Sequence, residues 1–221
     1  MSDVNGDFRA HDGTIKKMHD NGNYYSTFSL WDTYRALNPL LSVLYPELVC
    51  DMVNSMLEMY DSSGELPVWP LASGETGCMI GYHSVSVIAD AFLKGYRCFD
   101  PHHALEAMVV SSNKPRKATD VWGSEGYIPC DRYKESVSCS LENSYDDWCI
   151  ARLAEAIGND SIASIYYERA GNYANLFDTS TRFFRGHKAD GNWASPFIPA
   201  AVSGDYTEPP RGSIALLRSM T

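Results

Sequence analysis

The stretch that decides the fold is SVSCSLENSYDDWCIARLAEAI, residues 136–157, with the run DSIASIYYERAGNYANLF, residues 160–177, directly after it. Within the first run, Val137, Leu141 and Tyr145 recur every four residues, which is close to the period of an α-helix. The second run repeats the pattern. Together the two runs predict a pair of neighbouring helices, an α-hairpin.

Two more α-hairpins are predicted upstream by the same periodicity. The first joins a helix over 28–41 to one over 46–64, and the second joins helices over 79–93 and 101–110. Polar, turn-rich sequence fills residues 1–27, and few stretches are typical of strands.

Three α-hairpins separated by long irregular loops predict an all-α fold, either a solenoid or half of an α/α toroid. No fixed-length repeat is present, which argues against a repeat array, and long loops on one rim favour an enzyme toroid. We therefore predict a partial (α/α)6 toroid built from helical hairpins with long rim loops.

The amino-acid composition limits the classes of molecule that this protein is expected to bind. The 221 residues are 44% hydrophobic and 21% charged, which is typical of a globular domain. The formal net charge of -10 argues against nucleic acid, whose phosphates are bound by Lys and Arg. No run of 18 apolar residues predicts a membrane-spanning segment. Five Trp, 14 Tyr and 8 Phe among many carboxylates suit sugar binding.

The cysteine pattern and the first six residues are the parts of the sequence that would indicate disulfides, a zinc site or export from the cell. The six cysteines contain no CxxC pair and no zinc spacing, and they are interpreted as buried core thiols. Residues 1–6 have neither a basic start nor an apolar region, so no export signal is expected in this chain.

A carboxylate cluster is the strongest chemical feature. Glu142 and Asp146 lie one helical turn apart beside the apolar stripe that ends at Trp148, and we expect this stripe to be packed. Burial and mutual repulsion would favour a protonated acid there. The alternative is an acidic helix start that interacts with the helix dipole. The residues alone leave both interpretations open.

Several longer segments resemble the family 92 glycoside hydrolases, which are exo-acting α-mannosidases. They are DVNGDFR (3–9), YSTFSLWDTYRA (25–36), MIGYH (79–83), IADAFLKG (88–95), GYIP (126–129), the helix around Glu142, NYANLFD (172–178) and YTE (206–208). The resemblance implies an N-terminal β-sandwich followed by an (α/α)6 barrel, of which residues 28–208 would form about half.

The resemblance also implies roles for single residues. Glu142 is expected to be the general acid of an inverting mechanism, protonated at rest, with a general base outside this chain. Asp32, with Trp31 beside it, and Glu208 are expected to contact the sugar. His83 is a weaker candidate, because a lone His on an apolar helix is more often structural.

Arg35 follows Asp32 by one turn and is expected to hold it as an ion pair. The cofactor implied for the complete enzyme is calcium, with most ligands outside this chain, and the implied partners are mannose-containing glycans. An exported location, periplasmic or at the cell surface, is implied for the parent protein.

The resemblance stops after Glu208. Restoring one nucleotide there permits a continuation that resembles the family, so residues 209–221 are expected to be translated out of frame. The chain alone is then expected to be inactive and to expose helix faces meant for missing neighbours. The alternatives are a catalytically dead helical module that binds carbohydrate, or one that binds protein.

Overall fold

The computed structural model describes residues 2–18, 22–199 and 203–206. Glu208 and the tail 209–221 lie outside these residues, so the predictions made for them remain predictions. In the described part the fold is predominantly helical. Its helices are α1 (Leu30–Thr33), α2 (Leu37–Leu44), α3 (Pro46–Ser63), α4 (Ser84–Leu93), α5 (Pro101–Ser111), α6 (Thr119–Glu125), α7 (Ser136–Ala156) and α8 (Asp160–Ala170).

Local chemistry explains several helix ends. Pro46 occupies the first turn of α3, and Gly64 ends that helix with φ of 80°, a left-handed conformation that glycine adopts without steric cost. The Asp100 side chain accepts the backbone N–H of His102 at 2.9 Å and thereby caps α5. Asn159 caps α8 in the same way, so the turn between α7 and α8 is defined by the sequence.

The predicted hairpins α2–α3, α4–α5 and α7–α8 are all present, but the helix predicted over 79–93 begins only at Ser84, and the first predicted helix is interrupted. The backbone leaves the helical region at Ala36, which separates α1 from α2. The prediction also missed α6 and three short antiparallel pairs: β1 (Asp7–Arg9) with β2 (Ile15–Lys17), β3 (Pro70–Leu71) with β4 (Gly74–Glu75), and β5 (Phe177–Asp178) with β6 (Phe183–Phe184). The first pair lies in the segment predicted to be loops.

Helix α7 is the centre of the fold, packed between α4 and α8. The expectation that its aromatic stripe is packed is wrong towards the C-terminus, because Tyr145 and Trp148 remain 41% and 44% exposed. The acidic side is the buried one instead: Glu142 is 8% exposed, and Asp146 and Asp147 are fully buried. Hydrogen bonds from neighbouring elements make this burial possible.

Helix α2 carries a second exposed apolar surface. Leu37, Leu40, Val43 and Leu44 are each about half exposed or more, although they share one short helix. Apolar side chains so close together are typical of a surface that contacts another protein segment. No helix in the described ranges is long and apolar enough to cross a membrane.

The interpretation of all six cysteines as buried core thiols is wrong. Cys50 in α3 and Cys98 in the loop before α5 form a disulfide across 48 residues of sequence. The spacing gave no signal because the helices in between bring the two residues together. Cys139 and Cys149 are buried free thiols as predicted, whereas Cys78 is exposed and Cys130 half-buried.

Candidate active site

A cavity with a volume of about 620 Å³ lies between α2, α4 and α7. Its wall combines one buried carboxylate, Glu142, with exposed aromatic rings, among them Tyr145, Trp148 and Tyr173. Flat aromatic faces beside a carboxylate match the C–H faces and hydroxyl groups of a sugar ring.

Both oxygens of Glu142 have partners that come from the chain just after α1. The hydroxyl of Tyr34 donates to Oε2 at 2.6 Å, and Nη2 of Arg35 donates to Oε1 at 3.1 Å. Arg35 also lies over the ring of Trp31, 4.6 Å from its centroid, which holds the guanidinium in place. Glu142 is therefore fixed at the cavity wall by contacts that are distant in sequence.

Behind Glu142 lies a fully buried His83, at the N-terminal end of α4. Its Nδ1 is 2.8 Å from Oδ1 of Asp146, and its Nε2 is 3.4 Å from Oε2 of Glu142. The second distance is within ion-pair range, but the geometry does not make a hydrogen bond. The imidazole thus connects the two carboxylates that the sequence placed one turn apart.

Gly81 is required by the position of His83. Its φ is 73°, and a Cβ atom added there would lie 2.3 Å from His83 Nε2. Arg116 donates to the Gly81 carbonyl at 3.0 Å and fixes the loop from the other side. Only glycine allows this backbone to pass so close to the imidazole.

Asp147 forms a second buried centre beside the first. It accepts hydrogen bonds from the hydroxyl of Tyr82, Nε1 of Trp122 and Nε of Arg169, at 2.7, 2.7 and 3.0 Å. Burial raises the pKa of Asp146 above its ordinary value, although His83 opposes this shift. The three hydrogen bonds to Asp147 join the turn before α4, α6 and α8 to α7, so the acidic face of α7 also stabilises the fold.

The structure places the other predicted residues as follows. Trp31 reaches the site through Arg35, and Asp32 is an exposed residue of α1 outside the cavity wall. The prediction that Arg35 pairs with Asp32 is wrong: among the described carboxylates, its ion-pair partner is Glu142. The guanidinium of Arg35 contacts Glu142 on α7 instead.

Tyr34, Arg35 and Asp146 are functional candidates whose roles sequence analysis missed. Tyr34 belongs to the motif over residues 25–36, but that motif does not show which helix the Tyr34 hydroxyl contacts. The sequence predicts that Asp146 repels Glu142, whereas in the structure the close partner of Asp146 is the imidazole of His83. The missed information is the pairing of α1 and α4 with α7, which is non-local.

The calcium implied by the resemblance requires a cluster of oxygen ligands. No group of three or more His, Cys, Asp or Glu suitable for a metal ion occurs in the part of the chain that the structure describes. Glu142 and Asp146 already serve as acceptors for Tyr34, Arg35, His83 and Tyr82. These residues therefore do not fit a calcium site by themselves.

Comparison with known proteins identifies relatives over nearly the whole chain. The catalytic-domain model of glycosyl hydrolase family 92 matches residues 1–213. A family GH92 alpha-mannosidase from Bacteroides thetaiotaomicron superposes with a TM-score of 0.90 at 41% identity, over 95% of this chain and 29% of its own. Its complex with mannoimidazole superposes equally well, at 40% identity over 94% of this chain and 29% of its own.

An inverting mannosidase of the same family and organism gives a TM-score of 0.87 at 35% identity, again over 94% of this chain and 29% of its own. A curated protein from Arthroderma benhamiae, an uncharacterized secreted glycosidase, is 29% identical over an alignment of 200 residues that covers 83% of this chain and 25% of the relative. The chain thus spans between a quarter and a third of the length of these relatives.

Proposed function

We propose, from the premise that this chain belongs to glycosyl hydrolase family 92, that it is part of the catalytic domain of an exo-acting, inverting α-mannosidase which removes terminal mannose from glycans. The observation that carries the proposal is Glu142: a carboxylic acid 8% exposed, at the wall of an aromatic cavity, with both oxygens held by hydrogen bonds. Buried carboxyl groups of this kind serve as proton donors in glycosidases.

Proton donation by Glu142 requires different roles of its two hydrogen-bond partners. A general acid presents its proton to the leaving glycosidic oxygen, so Glu142 has to exchange one of its present partners for the substrate. Arg35, on the exposed side, is the partner that a sugar would displace, while Tyr34 remains on Oε2. The proton then passes from Glu142 to the departing oxygen as the C–O bond breaks.

The second carboxylate of an inverting enzyme activates a water molecule on the other face of the sugar, about 6.5–9.5 Å from the acid. Asp146 and Asp147 are fully buried and already bound, so neither suits that role. We propose that the base, and the ligands of the calcium implied by the family, come from parts of a longer protein. Calcium there would hold sugar hydroxyls and the attacking water.

The partial (α/α)6 toroid belongs to the same proposal. The three α-hairpins and the exposed apolar side chains of α2 are what half of such a barrel would present to the remaining helices. We propose that Asp32, Trp31 and Glu208 contact the sugar in the completed barrel. The disulfide and the secreted curated relative support export of the parent protein.

The test uses a protein extended to the length of the solved relatives, with and without Glu142→Gln. With calcium present, we expect the substitution to lower kcat on mannobiose by about 10²–10⁴-fold, the usual contribution of a general acid. The loss on 4-nitrophenyl α-mannoside should be much smaller, because 4-nitrophenolate leaves without protonation.

Glu155→Gln is the matched control, since it makes the same charge change on the exposed side of the same helix. Equal losses on both substrates would contradict the acid role, and unchanged rates would remove Glu142 from the mechanism. Mannoimidazole binding without turnover by the extended protein would support the carbohydrate-binding module instead. The 221-residue chain alone is expected to show no turnover.

A further inference from the structure

His83 has a ring nitrogen whose role the proposed mechanism does not explain. The ring is fully buried, and Nδ1 lies 2.8 Å from Oδ1 of Asp146. The other oxygen of Asp146 accepts the backbone N–H of Tyr82 at 2.7 Å. With Asp146 ionised, Nδ1 of His83 is the donor to Oδ1, and stacking on Tyr34 fixes the ring orientation. Nε2 is then left facing Glu142.

Nε2 and Oε2 of Glu142 are 3.4 Å apart, and Nε2 has no hydrogen-bond partner among the described residues. A neutral imidazole and a carboxylate would place two lone pairs opposite each other in a buried site, which is unfavourable. One proton between the two atoms removes this conflict. The ring cannot turn away, because it is stacked on Tyr34 with 4.0 Å between centroids, and Tyr34 is bound to Oε2.

The buried charges around the ring favour the same arrangement. Two carboxylates, Asp146 and Glu142, face the fully buried imidazole. A proton associated with Nε2 offsets one of these negative charges in a site where an unbalanced buried charge is costly. The charged and titratable groups around His83 are Asp146 and Glu142 on α7, Tyr34 and Arg35 after α1, Tyr82 beside it in sequence, and Arg116 on the Gly81 carbonyl.

We propose that His83, oriented by Asp146, is a positioning residue that shares one proton with Glu142 and thereby keeps the acid supplied. The lone pair of Nε2, 3.4 Å from Oε2, gives this proton a second acceptor that a glutamate without an imidazole neighbour lacks. Only the catalytic role of the shared proton rests on the proposed function. The shared proton is a property of the chain itself.

The proton balance of the step is simple. The O–H bond of Glu142 breaks as the O–H bond of the leaving group forms. The pair has then lost its one shared proton, so Glu142 is left ionised beside a neutral His83. Because His83 is buried, the pair takes up its next proton from solvent through Glu142, which lines the cavity.

The first experiment needs no activity. Ring ¹⁵N spectra of the 221-residue chain, with His83 assigned by its absence in His83→Asn, should show a protonated Nδ1 and a second proton associated with Nε2. Glu142→Gln should shift Nε2 to the frequency of an unprotonated nitrogen. Tyr34→Phe, which removes a hydroxyl from Oε2 but keeps the stacked ring, should leave the Nε2 proton in place. An Nε2 frequency that Glu142→Gln does not change would overturn the proposal.

The second experiment uses the extended protein. His83→Asn keeps an amide donor near the position of Nδ1, and His83→Gln extends an amide towards Glu142, but neither holds a titrating proton. Both should move the alkaline limb of the kcat/KM profile at least one pH unit lower, with activity recovering at acidic pH. His103→Asn, in a partly exposed surface pair, is the control. An unshifted limb would overturn the proposal. Absence of turnover in the unsubstituted protein would instead contradict the proposed function, with the spectra still deciding the shared proton.

Discussion

Substitution of Gly81 by alanine tests the packing behind the site. The residue has φ of 73°, and the new Cβ would lie 2.3 Å from Nε2 and 2.6 Å from Cε1 of His83. The backbone conformation alone costs about 1 kcal/mol for an L-residue. Displacing a buried ring adds about 1–3 kcal/mol, and weakening the His83–Asp146 contact adds about 1–3 kcal/mol. We therefore expect Gly81→Ala to lower the free energy of unfolding by about 3–7 kcal/mol.

Urea unfolding followed by Trp fluorescence measures this loss, and Gly64→Ala is the matched control. Gly64 has φ of 80°, but its added Cβ would meet only Lys114 Nζ at 3.9 Å. Its loss should be about 1 kcal/mol, the cost of the backbone conformation alone. The difference between the two glycines is the contribution of the imidazole.

A double-mutant cycle isolates the same contribution. In a His83→Ala background the ring is gone, so Gly81→Ala should cost only about 1 kcal/mol more than His83→Ala alone. Equal losses for Gly81→Ala and Gly64→Ala, or an unchanged loss in the His83→Ala background, would refute the reasoning. Either result would mean that the imidazole does not occupy the space beside Gly81.

Three further predictions concern stability. Asp147→Ala removes the acceptor of three buried donors and should cost about 3–5 kcal/mol in urea unfolding, since it leaves a buried cation unpaired; a loss below 1 kcal/mol would contradict this. Hydrogen bonds from Ser180 hold the pKa of Asp178 below its ordinary 3.8, so this carboxylate stabilises the fold above that pH and the stabilisation disappears as the pH falls. Thermal melts of Asp178→Asn should therefore lack this part of the acid dependence, and identical pH curves would argue against it. Reduction of the Cys50–Cys98 disulfide should cost about 4 kcal/mol from the entropy of a 48-residue loop, and a melting temperature unaffected by a reductant would contradict that role.

The sequence by itself determined the local elements and the family. Periodicity and capping residues are short-range properties, so the α2–α3, α4–α5 and α7–α8 hairpins could be predicted from residues a few positions apart. The motifs spread over residues 3–208 identified the family, which the match over residues 1–213 confirms. The short β-pairs were missed, because two- or three-residue strands carry almost no pattern of their own.

Tertiary structure decided which face of α7 is buried and what each site residue contacts. The sequence suggested that the aromatic side of α7 packs and the acidic side borders it. Instead, donors just after α1, just before α4 and on α6 and α8 bury the acidic side, while Tyr145 and Trp148 stay exposed. The Glu142 partners Tyr34 and Arg35 are more than 100 residues away in sequence. No pattern along the chain encodes such contacts, because they depend on how separate helices meet, and that meeting places an imidazole behind Glu142.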